Sequence, residues 1–369
     1  MQTQTAFIPL ARPDINEDDI ALVGEVLRSG MLVQGEYVKK LEDGFAEYLG
    51  AKHAVAVSNG TASLHLALQC LHIGAGDEVI VPALSYPATA NVVELVGAAC
   101  VFVDVDERTF NIDVSKIEQA ITDKTKAIIP VHEFGLCCDI ETVRSIADKH
   151  RLYVIEDAAC ALGAEQHSKK AGTFGTIASF SLHPRKSITS GEGGVLVTDD
   201  DQIATKLRQL RNHGIEIIDG QMKFVEAGFN YRMTEFQAAL AWNQFKRLDN
   251  ILLYKDEIAS IYLSEISNKK IQLPVVPKDR NHTWQTFHVL VDGLSQADAI
   301  QQLKTQQIGT NYGAQCIPAQ PYYQQKYRLD AKALFPNAYR AFTCGLAIPV
   351  YERLTKDDAY FIAETLNKL

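Results

Sequence analysis

Four segments of this chain carry side chains whose types and spacing could do chemistry. In Ser58-Asn59-Gly60-Thr61-Ala62-Ser63 a glycine turn opens what reads as a helix. Free N–H groups and the positive dipole end at a helix start suit a phosphate, and Thr61 and Ser63 add hydroxyls. An ordinary capped helix start explains the same residues. The G-K-[ST] ending of a Walker loop is missing. In Glu156-Asp157-Ala158-Ala159 a carboxylate ends an apolar run. It could hold the N–H of a pyridinium ring, bind a metal or cap a helix. In Ser181-Leu182-His183-Pro184-Arg185-Lys186 a lysine follows an apolar run and enters a loop rich in Ser, Thr and Gly, ending in Gly191-Glu192-Gly193-Gly194. Most lysines are solvated, and that suffices for Lys169 and Lys170. Lys186 stands where a lysine could form a Schiff base, which requires losing its proton in a partly desolvated place. Tyr86 follows a fourth apolar run and could stack on a flat ring, or simply pack in a turn.

The elements that must position these residues alternate. Apolar runs at 54–57, 79–81, 101–103, 127–131, 153–155, 178–180 and 195–198 are separated by helix-like segments such as 61–71, 88–96 and 140–149. Several runs are apolar without alternation, as strands covered on both faces must be. This predicts an α/β core with a mostly parallel sheet. Ligands in such sheets sit beyond the carboxyl ends of the strands. All four segments lie there, so they should gather at one edge. Residues 202–213 carry a helical stripe, and 234–253 reads as one long helix or two nearly continuous ones. After 274–277 the pattern changes to a smaller α+β domain, with elements at 286–291, 297–306, 336–343 and 356–369. We expect a large domain over 1–250 and a small one over 251–369.

The bulk numbers agree with such a protein. A chain of 369 residues, 47% hydrophobic, can bury a large core. A formal charge of −9 gives no electrostatic footprint for nucleic acid or an anionic membrane. No apolar stretch approaches the ~18 residues needed to span a bilayer, and the N-terminal residues lack the pattern of a signal peptide. Seven scattered cysteines without a C-x-x-C pair suggest a reduced, cytoplasmic protein and no metal site.

Taken together, IPLARPDI, LRSGMLVQG, SNGTASLHLAL, GDEVIVPALSYPATAN, VIEDAACALGA, SFSLHPRKSITSGEGGVLVT and GFNYRMTEFQAAL resemble the DegT/DnrJ-type nucleotide-sugar aminotransferases. These are fold-type-I enzymes that use pyridoxal 5′-phosphate (PLP), with an aspartate-aminotransferase-like large domain. The resemblance implies that Lys186 carries the imine with PLP and that Asp157 pairs with the ring nitrogen. It implies that Gly60, Thr61, Ala62 and Ser181 surround the phosphate, that Tyr86 lies on the ring, and that Cys160 sits near it. Asn230 would reach the phosphate across a homodimer interface, although a turn or helix-entry role fits it equally from sequence. Met31, Leu32, His183, Asn311, Tyr312 and Gly313 would line the substrate cleft. The implied reaction moves an amino group from L-glutamate to a nucleotide-linked keto-deoxysugar. The H-P-x-K…G-E-G-G form of the lysine loop is nearer the C4-amino branch than the C3 branch.

The chain also departs from the family pattern. Cys160 stands where a polar Gln, His or Glu is common. Gly313, Ala314 and Pro318 replace a His-Tyr pair and a further His. The Glu133-Phe134-Gly135-Leu136 segment after His132 is less typical. Lys186 argues against a sugar dehydratase of the same family, which carries histidine there. Retention of Lys186, Asp157 and Ser181 argues against a non-catalytic regulator. A metal hydrolase using Asp157, His132 and His183 lacks a recognised ligand spacing.

Overall fold

Dense aliphatic runs become the buried strands of the central sheet. The computed structural model describes residues 6–369. Seven strands form this sheet: β1 (His53–Val57), β2 (Glu78–Pro82), β3 (Ala99–Val103), β4 (Thr125–Ile128), β5 (Tyr153–Asp157), β6 (Ile177–Ser181) and β7 (Gly194–Thr198). Their order across the sheet is β1-β7-β6-β5-β4-β2-β3. Only β7 runs against its neighbours; the other pairs are parallel. The expected mostly parallel α/β sheet is therefore present. Both faces are covered, and the helix Gly60–Cys70 is itself buried almost all round. One core cluster joins this helix to Val79, Val81, Ile129 and Ile155, and another packs Phe45, Phe180 and Val195 on the opposite side.

Parallelism fixes where the chemistry can be. The six co-directed strands end at one edge, so β1 delivers Ser58–Gly60, β2 leads to Tyr86, β5 ends on Asp157 and β6 on Ser181. The apolar run at 127–131 pairs as a regular strand only over Thr125–Ile128, because Pro130 has no N–H to donate. Val131 still forms a parallel bridge to Asp157.

A second sheet, β8 (Ile271–Gln272), β9 (Phe287–Val291) and β10 (Gly345–Ile348), is wholly antiparallel. It packs with Tyr262, Leu303, Ile362 and Leu366 in a separate core that also takes in Ile8. The 234–253 stretch resolves into two helices, Glu235–Phe245 and Leu248–Glu265. The second straddles the expected boundary near 250: Leu248 and Ile251 pack with the large core, Ile258 and Tyr262 with the small one. Among the described residues no helix is long and apolar enough to cross a membrane.

One hairpin escaped the sequence reading. Ile215–Ile218 pairs with Gln221–Phe224 around Asp219-Gly220, both at positive φ (51° and 73°). That is the backbone a two-residue type I′ turn requires, and Asp-Gly is its usual sequence.

The loop expected to line the substrate cleft is held from a distance. The helix Glu36–Leu49 starts at Gly35, which has no side chain with which to cap it. Glu235 takes over, its buried carboxylate accepting the N–H groups of Gly35, Tyr37 and Val38. A Cβ on Gly35 would lie 2.8 Å from Glu235 Oε1, so glycine makes room for this cap. The Glu235 N–H donates to Leu32 O at 2.9 Å. Glu235→Ala should lower the unfolding free energy by about 2–3 kcal/mol, between one cap and several charged hydrogen bonds. Urea denaturation checks this through a lower midpoint at an unchanged slope.

Candidate active site

Two consecutive carboxylates end β5, and strand geometry sends them to opposite faces. Glu156 faces inward and is fully buried. It accepts N–H groups of Gly172 (2.7 Å), Phe174 (2.8 Å) and Gly175, and meets His132 Nε2 at 2.9 Å. The Cys138 N–H donates to His132 Nδ1 at 3.1 Å, so Nε2 carries the proton and donates to Glu156. Burial alone would raise the Glu156 pKa. The His132 ring and the backbone donors outweigh it and hold the carboxyl below its ordinary value. Both nitrogens of His132 are thus engaged in holding the fold, which removes it from the set Asp157, His132 and His183 considered for a hydrolase.

Asp157 faces the strand-end edge. Its Oδ2 accepts from Thr89 Oγ1 at 2.8 Å and its Oδ1 from the Ala159 N–H at 3.2 Å. Ser85 Oγ lies 2.9 Å from Thr89 Oγ1; since Thr89 gives its proton to Asp157, Ser85 donates to Thr89. Burial raises the Asp157 pKa against the pull of Thr89, Ala159 and Lys186. A cation placed against this carboxyl would lower it again.

Lys186 reaches the same place from the loop after β6, its Nζ 3.1 Å from Cys160 Sγ. Burial raises the Cys160 pKa, which keeps it a thiol. Behind them Lys255 is buried, its pKa lowered by burial, with Nζ 3.4 Å from Ser187 Oγ. Glu133 also belongs to this cluster: it is buried, and Asp157 and Lys186 both act on its charge. The sequence signal for Glu133 was a charge among apolar residues just past a strand. Nothing local marked Thr89 or Lys255.

The helix start Gly60–Thr61 sits beside Ser181. A Cβ on Gly60 would lie 2.9 Å from Ser181 Cβ, so only glycine allows this approach. Gly194 is equally constrained, its Cβ position 2.6 Å from Asn59 O. Asn59 Oδ1 caps the helix by accepting from the Ala62 N–H at 2.8 Å. The N–H groups of Gly60 and Thr61 have no partner within the helix. Ser63, expected to add a hydroxyl, is buried and turned inward to Ser179 and Gly60 O. Tyr86 is 75% exposed, with its ring free to be covered.

The other expected residues differ in exposure and in how far their polar atoms are engaged. Met31, Leu32 and Tyr312 are exposed. His183 is partly buried, which lowers its pKa, and its Nδ1 accepts from the Arg185 N–H at 3.2 Å. Asn311 spends its side-chain oxygen on the Gly313 N–H at 2.8 Å. Asn230 is exposed, but the next residue is tied in: Tyr231 O accepts from the Ser58 N–H at 2.8 Å, placing this segment beside the phosphate-type loop of its own chain.

Several known proteins share this arrangement of chain. The spore coat polysaccharide biosynthesis protein SpsC of Bacillus subtilis is 37% identical over 384 residues, covering 100% of this chain and 98% of that protein. A protein of Streptococcus pneumoniae named as a sugar aminotransferase, Spr1654, solved in apo, PLP and PMP forms, superposes with a TM-score of 0.93 at 29% identity. In its PMP form the match covers 98% of this chain and 97% of that one. DesV of S. venezuelae, solved with a ketimine intermediate, gives a TM-score of 0.91 at 31% identity, covering 99% and 98%. The model of the DegT/DnrJ/EryC1/StrS aminotransferase family matches residues 13–367. With that match over nearly its whole length, and a fold-type-I frame shared with PLP enzymes, the chain belongs to the DegT/DnrJ/EryC1/StrS aminotransferases, a family of PLP-dependent sugar aminotransferases.

Proposed function

We propose that this chain transfers an amino group from L-glutamate to carbon 4 of a nucleotide-linked keto-deoxysugar, in the assembly of a cell-surface glycan such as a lipopolysaccharide O-antigen. The observation that carries this reading is the convergence of Lys186, Asp157 and Cys160, with the Gly60–Ser181 notch, at one strand-end edge. The residues fit PLP. Gly60 leaves a notch beside Ser181 that a Cβ would fill, and Asp157 is a buried carboxyl that a protonated ring nitrogen would offset. PLP, when bound, supplies an electron-accepting ring. Lys186 would hold the cofactor and would serve as the base and acid that moves the proton between the donor α-carbon and the cofactor's C4′ position. Asp157 keeps the ring nitrogen protonated. Gly60, Thr61, Ala62 and Ser181 hold the phosphate, and Tyr86 covers a ring face. Met31, Leu32, His183, Tyr312 and the Asn311–Gly313 turn border the sugar nucleotide. Similarity to a polysaccharide biosynthesis protein supports the glycan assignment, and the lysine-loop sequence supports carbon 4. Mass spectrometry of products from a panel of nucleotide-linked 3-keto and 4-keto sugars with glutamate tests the substrate class and the carbon; amination of the 3-keto members alone would overturn the C4 assignment. Seven unpaired cysteines support a reducing, cytoplasmic setting.

The active unit in this reading is a C2 homodimer with shared sites. The hairpin that precedes Asn230 supports it, since Ile217, Met222 and Phe224 are 63%, 59% and 69% exposed on a single chain. Clustered exposed apolar side chains of this kind mark interaction surfaces.

Three outcomes are expected. Lys186→Ala abolishes transamination while the fold persists, and borohydride reduction of the wild-type holoenzyme leaves the cofactor mass on the Lys186 peptide. A label on Lys169, Lys170 or Lys255 would overturn the assignment. Asp157→Asn retains some PLP but loses turnover by about 100-fold or more. Removing one partner of a buried charge pair costs roughly 3–5 kcal/mol, and part of that enters the barrier at about 1.4 kcal/mol per tenfold. Near-normal turnover would mean the ring lies elsewhere. Co-expression of Lys186→Ala with Asn230→Asp subunits gives mixed dimers in which one site carries both defects and the other neither. Activity should return to about half per mixed dimer on symmetry grounds. If Asn230→Asp is strongly defective alone and confirmed mixed dimers stay inactive, Asn230 acts within its own chain.

A further inference from the structure

We propose that Glu133 is a proton-carrying member of the cofactor site: its free Oε2 donates to the ring oxygen of PLP, the contact that Cys160 is too weak a donor to make. This rests on the site reading above and goes beyond it.

Glu133 follows the segment that runs beside Asp157, where the His132 N–H donates to Asp157 O at 3.1 Å. Its own N–H is held by Asn111 Oδ1 at 2.8 Å. The next two residues make a tight turn, with Phe134 at φ 58° and Gly135 at φ 104°. A Cβ on Gly135 would lie 2.6 Å from Thr283 Oγ1 and 3.1 Å from Cys160 O, so the turn is pressed onto the Cys160 backbone. A strained non-glycine residue and a wall-to-wall glycine thus fix where Glu133 sits.

The second observation is what Glu133 lacks. It is 5% exposed, and its Oε2 has no hydrogen-bond partner among the described residues. Glu156 shows how this fold treats a purely structural acid, giving it a histidine and three backbone N–H groups. An unpaired buried carboxyl is costly, so one that persists at a ligand site is explained by a partner the ligand brings.

The groups around it decide its protonation. Burial and then Asp157 push Glu133 up to about 8, against the pull of Lys186. Cys160 is a half-buried thiol whose pKa is raised, and His132 is turned to Glu156. The packed segment 282–288 brings His282 and His288, which burial pushes down to about 3 and so leaves uncharged. Burial and Asp157 thus favour the neutral acid, which has an O–H to give. On PLP the carbon joined to the lysine lies between the phosphate arm and the ring hydroxyl. With Gly60, Thr61 and Ser181 on the arm side, as the site reading has it, the ring oxygen would fall to the side of Cys160 and Glu133. A thiol donates weakly, whereas a carboxylic acid donates well.

A donor at the ring oxygen draws off negative charge that would otherwise hold the imine proton, so it lowers the imine pKa. The test follows the visible absorbance of the PLP-loaded protein through pH, without substrates, for wild type, Glu133→Gln and Glu133→Leu. Glu133→Leu should raise the midpoint by about one unit, equivalent to about 1.4 kcal/mol. Glu133→Gln, which keeps an N–H donor, should stay within about half a unit. An unchanged or lowered midpoint in Glu133→Leu overturns the proposal, because loss of a carboxylate anion near Lys186 would lower it. Should Glu133→Leu not fold, infrared difference spectra of wild type and the near-isosteric Glu133→Gln decide. A protonated-carboxyl stretch at pH 7 that vanishes in Glu133→Gln supports the proposal, and its absence in wild type overturns it. Wild-type protein that forms no imine at Lys186 fails differently, removing the site reading and this inference with it.

Discussion

The structure turns on two acids placed side by side at the end of one buried strand. Residues 156 and 157 must point to opposite faces, and each carboxyl must find compensation or remain protonated. Glu156 is compensated completely, by His132 and by backbone donors of the 172–175 turn. That pairing ties β5 to its neighbours and fixes the height at which Asp157 emerges. Asp157 is compensated only in part, by one hydroxyl and one N–H. The same strand therefore carries one acid that holds the fold and one with capacity left for a ligand. The Ser85–Thr89–Asp157 relay reaches it from the β2 side, and Lys186 from the β6 side.

Much of this was legible in the sequence because the constraint is local. Uninterrupted apolar runs specify strands covered on both faces, and parallel strands deliver their carboxyl ends to one edge. Hence the sequence alone predicts that Gly60, Asp157, Ser181 and Lys186 lie together. Long-range satisfaction of polar groups was not legible. Glu235 caps a helix 200 residues earlier, and no spacing rule connects it to Gly35. Ser63 looked like a phosphate contact until its hydroxyl was found paired with Ser179. The Asp219-Gly220 turn and the alternation Ile215-Glu216-Ile217 and Met222-Lys223-Phe224 carried a readable signal, but the strands are only four residues each.

Glu235 also shows why distant parts of the chain depend on one another. Its carboxylate fixes the start of the helix Glu36–Leu49, and its N–H fixes Leu32. The segment 30–35 is therefore set by a residue lying five positions beyond Asn230. A change in the 228–235 stretch would be felt both beside the Ser58 loop and at the rim where Met31 and Leu32 stand. One short motif thus ties the Ser58 loop and the 30–35 segment to each other.

The departure from the family pattern at Gly313 has a packing cause. Gly313 stands at φ 79°, and a Cβ there would lie 2.5 Å from His288 Nδ1. His288 stacks on Phe134 with centroids 4.3 Å apart, in the turn that carries Glu133. Gly345 leaves space for the same ring, its Cβ position 2.4 Å from His288 Cε1. The space that a larger side chain at 313 would need is thus occupied by a buried, uncharged imidazole supplied by β9. A histidine at 313 could not simply be restored, because it would collide with His288 and disturb Phe134. The unusual Glu133-Phe134-Gly135 turn and the unusual Gly313 are therefore both packed against the same His288 ring.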